Sequence, residues 1–95
     1  MGPRAYHFMP VILDFLRPHP EQVRTKQQIR EFAEPIVLKN FTPREQALGW
    51  ALNYLVRGRY VDRLARGSYR ILPKGMAPFT IEDGKRLTDE YEGSH

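Results

Sequence analysis

Apolar residues recur at helical spacing in three early stretches of the chain and at alternating spacing in one later stretch, so the pattern predicts helices first and a hairpin after them. In FMPVILDFLRP, Phe8, Ile12, Phe15 and Leu16 share one helical face, Pro10 suits a first turn, and Pro18 ends the run. A second helix is predicted from about Lys26 to Glu34, with Ile29, Phe32 and Ala33 buried. Thr25 and Gln28 form its capping-box pair, Pro35 is its stop, and Val23 just before it suits a short strand. FTPREQALGWALNYLVRG carries the strongest signals: Thr42 as cap, Pro43 at the first helical position, Glu45 completing the box and Gly58 as a left-handed terminator.

Beyond Gly58 the period shortens. RYVDRL and SYRIL are rich in aromatic and β-branched residues and flank the turn ARG, so they read as two antiparallel strands. After PKG, the segment MAPFTIEDGKRLTDEY suits one more helix capped at Thr80, although Gly84 counts against it. Helix, short strand, helix, helix, hairpin is the order of a winged helix-turn-helix, an α+β fold with a three-helix core and a two-stranded wing. That domain is expected over residues 1–79, with residues 80–95 as an acidic C-terminal tail or helix.

Composition narrows the class. Ninety-five residues with 41% apolar content suit a single core, and no internal repeat or linker divides them. The absence of cysteine excludes a disulfide framework and a thiolate metal site. Apolar runs such as those in VILD and ALNYLV fall far short of the roughly 18 residues of a membrane span. MGPRAYHFMP lacks the apolar core of a secretory signal, and the expectation is a soluble cytoplasmic protein with no membrane partner.

Charge changes the picture more. The net charge is only +4, but residues 57–70 hold five arginines (Arg57, Arg59, Arg63, Arg66, Arg70) against Asp62 alone, whereas residues 80–95 hold Lys85 and Arg86 against five carboxylates. Basic charge concentrated around a turn is the footprint of a phosphate-binding surface, set against the plain alternative of a solvated face. The third helix offers an independent test. Leu48, Ala51, Leu52 and Leu55 form its core stripe, and Gln46, Trp50, Asn53 and Arg57 project together from the opposite side. Gln and Asn suit bidentate contact with adenine, Arg suits guanine or phosphate, and Trp offers a flat apolar surface. The commoner fate of a lone tryptophan is to cover a seam between elements, and Arg57 near a helix C-terminus also complements the dipole. Candidate DNA-binding residues are therefore Gln46, Trp50, Asn53 and Arg57 for the groove and Arg63, Arg66 and Arg70 for the wing. Thr25, Lys26 and Arg44 at helix starts are candidates for phosphate. Tyr69 and Ile71 read as core.

GWALNYLVRGRYVDRLARGSYRILPKG resembles the closing half of the Mrr-type N-terminal winged helix domain of modification-dependent restriction proteins. The shared positions are Gly49, Trp50, Ala51 and Leu52, then Arg66, Gly67, Tyr69, Arg70 and Ile71, then Lys74 and Gly75. RTKQQIREFAE is similar to that family's second helix, and the likeness covers roughly residues 8–79. The resemblance implies double-stranded DNA binding in a restriction system, with a nuclease domain or subunit as partner and, in some relatives, recognition of methyladenine. A methyl group in the major groove would meet an aromatic plane such as Trp50 while Asn53 or Gln46 satisfies the base edge. Burying one methyl contributes on the order of 0.8 kcal/mol, so strong discrimination needs more than one such contact.

Other classes find less support. EDGKR places Asp83 near Lys85, but in a polar tail without the strand a metal-dependent nuclease centre needs. His7, His19 and His95 are scattered, and no glycine-rich loop suggests a nucleotide cradle. A binding protein with neither cofactor nor metal is expected. The alternative is a small transcription regulator acting as a dimer, for which Phe79, Ile81, Leu87 and Tyr91 at roughly helical intervals offer an interface.

Overall fold

The computed structural model describes residues 2–42 and 45–92, apart from the side chains of Asn40 and Glu45. These residues form a mixed α+β fold of four helices and a small three-stranded antiparallel sheet. In chain order the elements are α1 (Ala5–Leu16), β1 (Arg24–Thr25), α2 (Lys26–Val37), α3 (Glu45–Arg57), β2 (Val61–Ala65), β3 (Ser68–Ile71) and α4 (Ile81–Glu92). Short 3-10 turns cover Leu38–Asn40 and Pro73–Met76. None of the described helices is long and apolar enough to cross a membrane.

α1 starts earlier than its apolar pattern suggests. The Arg4 amide donates to His7 Nδ1 at 2.9 Å and the His7 amide donates to the Arg4 carbonyl at 3.0 Å, which caps the helix without any of the usual capping side chains. Pro10 consequently lies inside the helix and not in its first turn. α2 also departs from expectation, running through Pro35 to Val37. Val37 is buried, and seating it in the core offsets the one backbone bond that Pro35 cannot make to the exposed Glu31 turn. Phe32, expected inside, is 37% exposed and stacks on Phe15 with ring centroids 4.7 Å apart.

The core stripe of α3 is as the sequence predicts, with Leu48, Ala51, Leu52 and Leu55 all buried in the core cluster that also holds Ile12, Leu13 and Ile29. Pro43 and Arg44, including the expected start of this helix, lie outside the described residues. At its other end the left-handed residue is Arg59, with φ +68°, and not Gly58. The Tyr60 amide reaches the Leu55 carbonyl at 2.9 Å and the Arg59 amide reaches Val56 at 3.1 Å, the double bond pattern that closes many helices.

The sheet has the order β1-β3-β2, so the expected two-stranded hairpin carries a third, two-residue strand on its outer edge. Val61 opposes Ile71, Asp62 opposes Arg70 and Arg63 opposes Tyr69. Beyond Arg63 the register shifts, so that Ala65 opposes Ser68 and Leu64 is the extra residue of a bulge. Gly67, at φ +75°, supplies the left-handed position of the turn.

α4 packs on α1 and buries Leu87. Its Gly84, unfavourable for an isolated helix, is what permits the approach: a Cβ there would lie 2.9 Å from Tyr6 Cβ and 3.1 Å from Met9 Sδ. Thr80 and Asp83 form a reciprocal capping box, with Asp83 N–H to Thr80 Oγ1 at 3.1 Å and Thr80 N–H to Asp83 Oδ2 at 2.8 Å. That Thr80 amide is the main reason the Asp83 carboxyl sits below the usual carboxylate range. Lys85, next along, pairs with Glu82 at 3.3 Å.

Candidate nucleic-acid interface

Gln46, Trp50, Asn53 and Arg57 are all exposed along the outer side of α3, as the helical spacing predicts. Two clefts flank that side, and they differ in charge.

The first lies between α3, the start of α2 and the hairpin. It encloses about 200 Å³ and is lined by Lys26, Gly49, Asn53, Arg63 and Tyr69, together with Leu52 and Val56, without a carboxylate among them. Local geometry explains each placement. The β1–β3 pairing and the Lys26 amide, which donates to the Gly67 carbonyl at 2.9 Å, fasten the start of α2 to the hairpin turn. Arg63 stands directly opposite the buried Tyr69 and therefore shares its side of the sheet, the side facing α3. The Lys26 ammonium lies 3.4 Å from where a Gly49 Cβ would be, so the helix surface is open to it because that position is glycine. Neither Lys26 nor Arg63 has a carboxylate within 4.0 Å among the described residues. Gly49 was legible in the sequence as a position of the family resemblance; in mid-helix it costs roughly 1 kcal/mol relative to alanine and so calls for a reason.

The remaining candidates disperse. Arg66 is exposed at the hairpin turn, close in sequence to Arg63. Arg70 opposes Asp62 on the other side of the sheet, away from the cleft. Arg57 holds its guanidinium 4.9 Å from the Tyr91 ring centroid, and the Tyr91 hydroxyl donates to the Arg57 carbonyl at 2.7 Å, so this arginine is engaged with α4. Thr25 is a working cap: the Gln28 amide donates to Thr25 Oγ1 at 3.1 Å and the Thr25 amide donates to Gln28 Oε1 at 2.9 Å. With the Lys26 amide held by Gly67, three amides at the start of α2 are satisfied internally. The site therefore offers an anion the Lys26 side chain and the helix dipole more than a bare row of N–H donors. Arg44 lies outside the described residues.

The second cleft lies on the opposite flank, between α3, α4 and the start of α1, and encloses about 360 Å³. Trp50, Tyr54, Tyr6, Asp89, Glu92 and Arg4 contribute to its lining. Trp50 is 52% exposed, which answers whether it seals a seam, and its ring lies 6.1 Å from that of Tyr54. The Tyr54 hydroxyl donates to Glu92 Oε1, and burial, reinforced by that carboxylate, pushes its pKa up to about 12. Trp50 and Asn53 are thus neighbours on one helix face that open onto clefts of unlike charge.

The apolar residues of the C-terminal segment turn inward. Phe79 and Leu87 are buried and Tyr91 packs against the core, which leaves Ile81 as the exposed member of the apolar set expected to offer a dimer interface. Compared with family models, curated proteins and solved structures, the chain matches none of them.

Proposed function

We propose that the chain is a winged helix module of the Mrr type that binds double-stranded DNA, with the exposed side of α3 in the major groove and the β2–β3 hairpin along the flanking backbone. The observation that carries this reading is the convergence of Lys26, Asn53 and Arg63, from three separate elements, in one cleft free of carboxylates. The element order and the β1-β3-β2 sheet are compatible with it. Lys26, Arg63 and Arg66 neutralise phosphates, which dominate duplex affinity and make it salt-dependent. Asn53 and Gln46 contact base edges.

In the finer form of this proposal the module directs a nuclease domain or subunit of a restriction system and reads methyladenine. Its support is the exposure of Trp50 three residues from the exposed Asn53, which offers an indole and an amide from one helix face. The module acts by binding and not by catalysis: Asp83 and Lys85, the tempting pair in the sequence, are occupied by the Thr80 cap and by Glu82. A dimeric regulator assembled through that segment has less support, since Phe79 and Leu87 pack inward.

A salt-controlled titration of one duplex, unmethylated and adenine-methylated, with a cytosine-methylated control, tests both levels. Steeply salt-dependent binding is expected for all three duplexes, with the adenine-methylated one bound most tightly. Equal affinity for all three would remove the methyl-reading component, and absence of binding at low salt would remove the DNA reading itself.

A further inference from the structure

The cleft between α3, α4 and the start of α1 has a chemistry that, Trp50 apart, the proposed DNA binding does not use. Half of the Trp50 surface is open to solvent on its rim, and Tyr54 and Tyr6 lie on the same lining. Two carboxylates, Asp89 and Glu92, share it with one guanidinium, Arg4. Neither carboxylate has a basic partner within 4.0 Å among the described residues. The Tyr54 hydroxyl fixes one oxygen of Glu92 and leaves the other available. Phosphate would be repelled by such a pair, and an apolar ligand would leave the carboxylates unanswered. A positively charged group with an apolar skin satisfies both, since aromatic faces attract cations through their quadrupole and carboxylates through their charge. The volume of about 360 Å³ is at the lower end of the roughly 300–1,000 Å³ of small-molecule sites.

We propose that this cleft binds an organic cation, a quaternary or methylated ammonium group, held between the exposed Trp50 ring and the Asp89 and Glu92 carboxylates, with the buried Tyr54 behind them fixing Glu92. The head group arrives either on a free small molecule or on a methylated lysine side chain. The proposal shares Trp50 with the methyl-reading form of the proposed function but does not rest on duplex binding, since none of Lys26, Arg63 or Arg66 lines the cleft.

Trp50 is the sole tryptophan of the chain, so its fluorescence reports directly on the site. The experiment titrates the full chain with choline at constant ionic strength, alongside 3,3-dimethylbutan-1-ol, the uncharged isostere of choline. A short peptide carrying one trimethyl-lysine forms a second arm. A saturable change in emission with choline or with the peptide is expected, with no comparable change from the alcohol, and the tighter of the two names the source of the head group. Asp89→Asn, at an exposed position, should weaken that binding about five- to ten-fold, and Glu92→Gln, which keeps an acceptor for Tyr54, should do so to a similar degree. A response to the alcohol equal to that of choline would overturn the proposal, as would no saturable response to either cation. A response that both substitutions leave unchanged would also overturn it.

Discussion

The two flanks of α3 are built from the same helix yet present opposite chemistry. On the hairpin side, Lys26 and Arg63 meet Asn53 with no carboxylate on the lining, whereas on the α4 side Trp50 and Tyr54 meet Asp89 and Glu92. Little of the difference originates in α3, where Gln46, Trp50 and Asn53 are uncharged and the exposed Arg57 is engaged with Tyr91. It comes from what packs alongside: an arginine-rich hairpin on one flank and an acidic helix on the other. The segregated charge of the sequence thus becomes segregation in space, with one helix as the boundary. For a duplex, that arrangement favours a tilt of α3 toward the hairpin and away from α4.

The contrast predicts unequal responses to substitution. Lys26→Glu with Arg63→Glu reverses the hairpin flank and should lower duplex affinity by more than about 100-fold in a low-salt titration, because the two proposed phosphate contacts would become repulsions. Asp89→Asn, on the other flank, should leave duplex affinity within about two-fold in the same titration. Asn53→Ala should flatten preference at one base position by about 1–3 kcal/mol, measured across single-base variants of the duplex, with affinity for other changes unaltered. Arg66→Ala should weaken binding to every sequence alike and reduce the slope of log affinity against log salt by about 1. Thr25→Ala removes the cap that seats Lys26 and should cost about 1 kcal/mol in chemical denaturation, with a modest loss of duplex binding.

The acidic flank has a signature of its own in pH. Tyr54 titrates at about 12 in the folded protein against an ordinary value of 10.0, so its contribution to stability is complete below pH 10 and is lost as pH rises toward 12. Tyr54→Phe should therefore show a shallower fall in stability between those values. An alkaline limb identical to that of the unsubstituted protein would sever the link between Tyr54, Glu92 and the packing of α4.

Much of the frame was legible in the sequence because local signals and burial agree there. Thr25 with Gln28, and Thr80 as a cap, announce helix starts that the structure keeps, and the α3 stripe of Leu48, Ala51, Leu52 and Leu55 is buried as its spacing requires. What failed was set by tertiary contact. Pro35 did not stop α2 because Val37 had a place in the core, and Phe32 was left half outside against Phe15. Gly84 looked like a defect in a helix until the α1–α4 approach gave it a purpose. The arginines were legible as a cluster but not as a surface. Register puts Arg63 and Arg70 on opposite sides of one sheet, and Arg57 is drawn to Tyr91 from a helix 34 residues further on. Residue type predicted the kind of site, and packing decided which residues belong to it.

On the proposed reading, the cations that meet DNA phosphates come from the hairpin flank of α3 and not from the α4 flank. The most direct measurement is a salt-controlled titration of one duplex with the unsubstituted chain, the Lys26→Glu and Arg63→Glu double variant, and Asp89→Asn. The account predicts salt-dependent binding that the double variant loses and Asp89→Asn retains. Binding that survives reversal of Lys26 and Arg63, or that depends as strongly on Asp89, would contradict it.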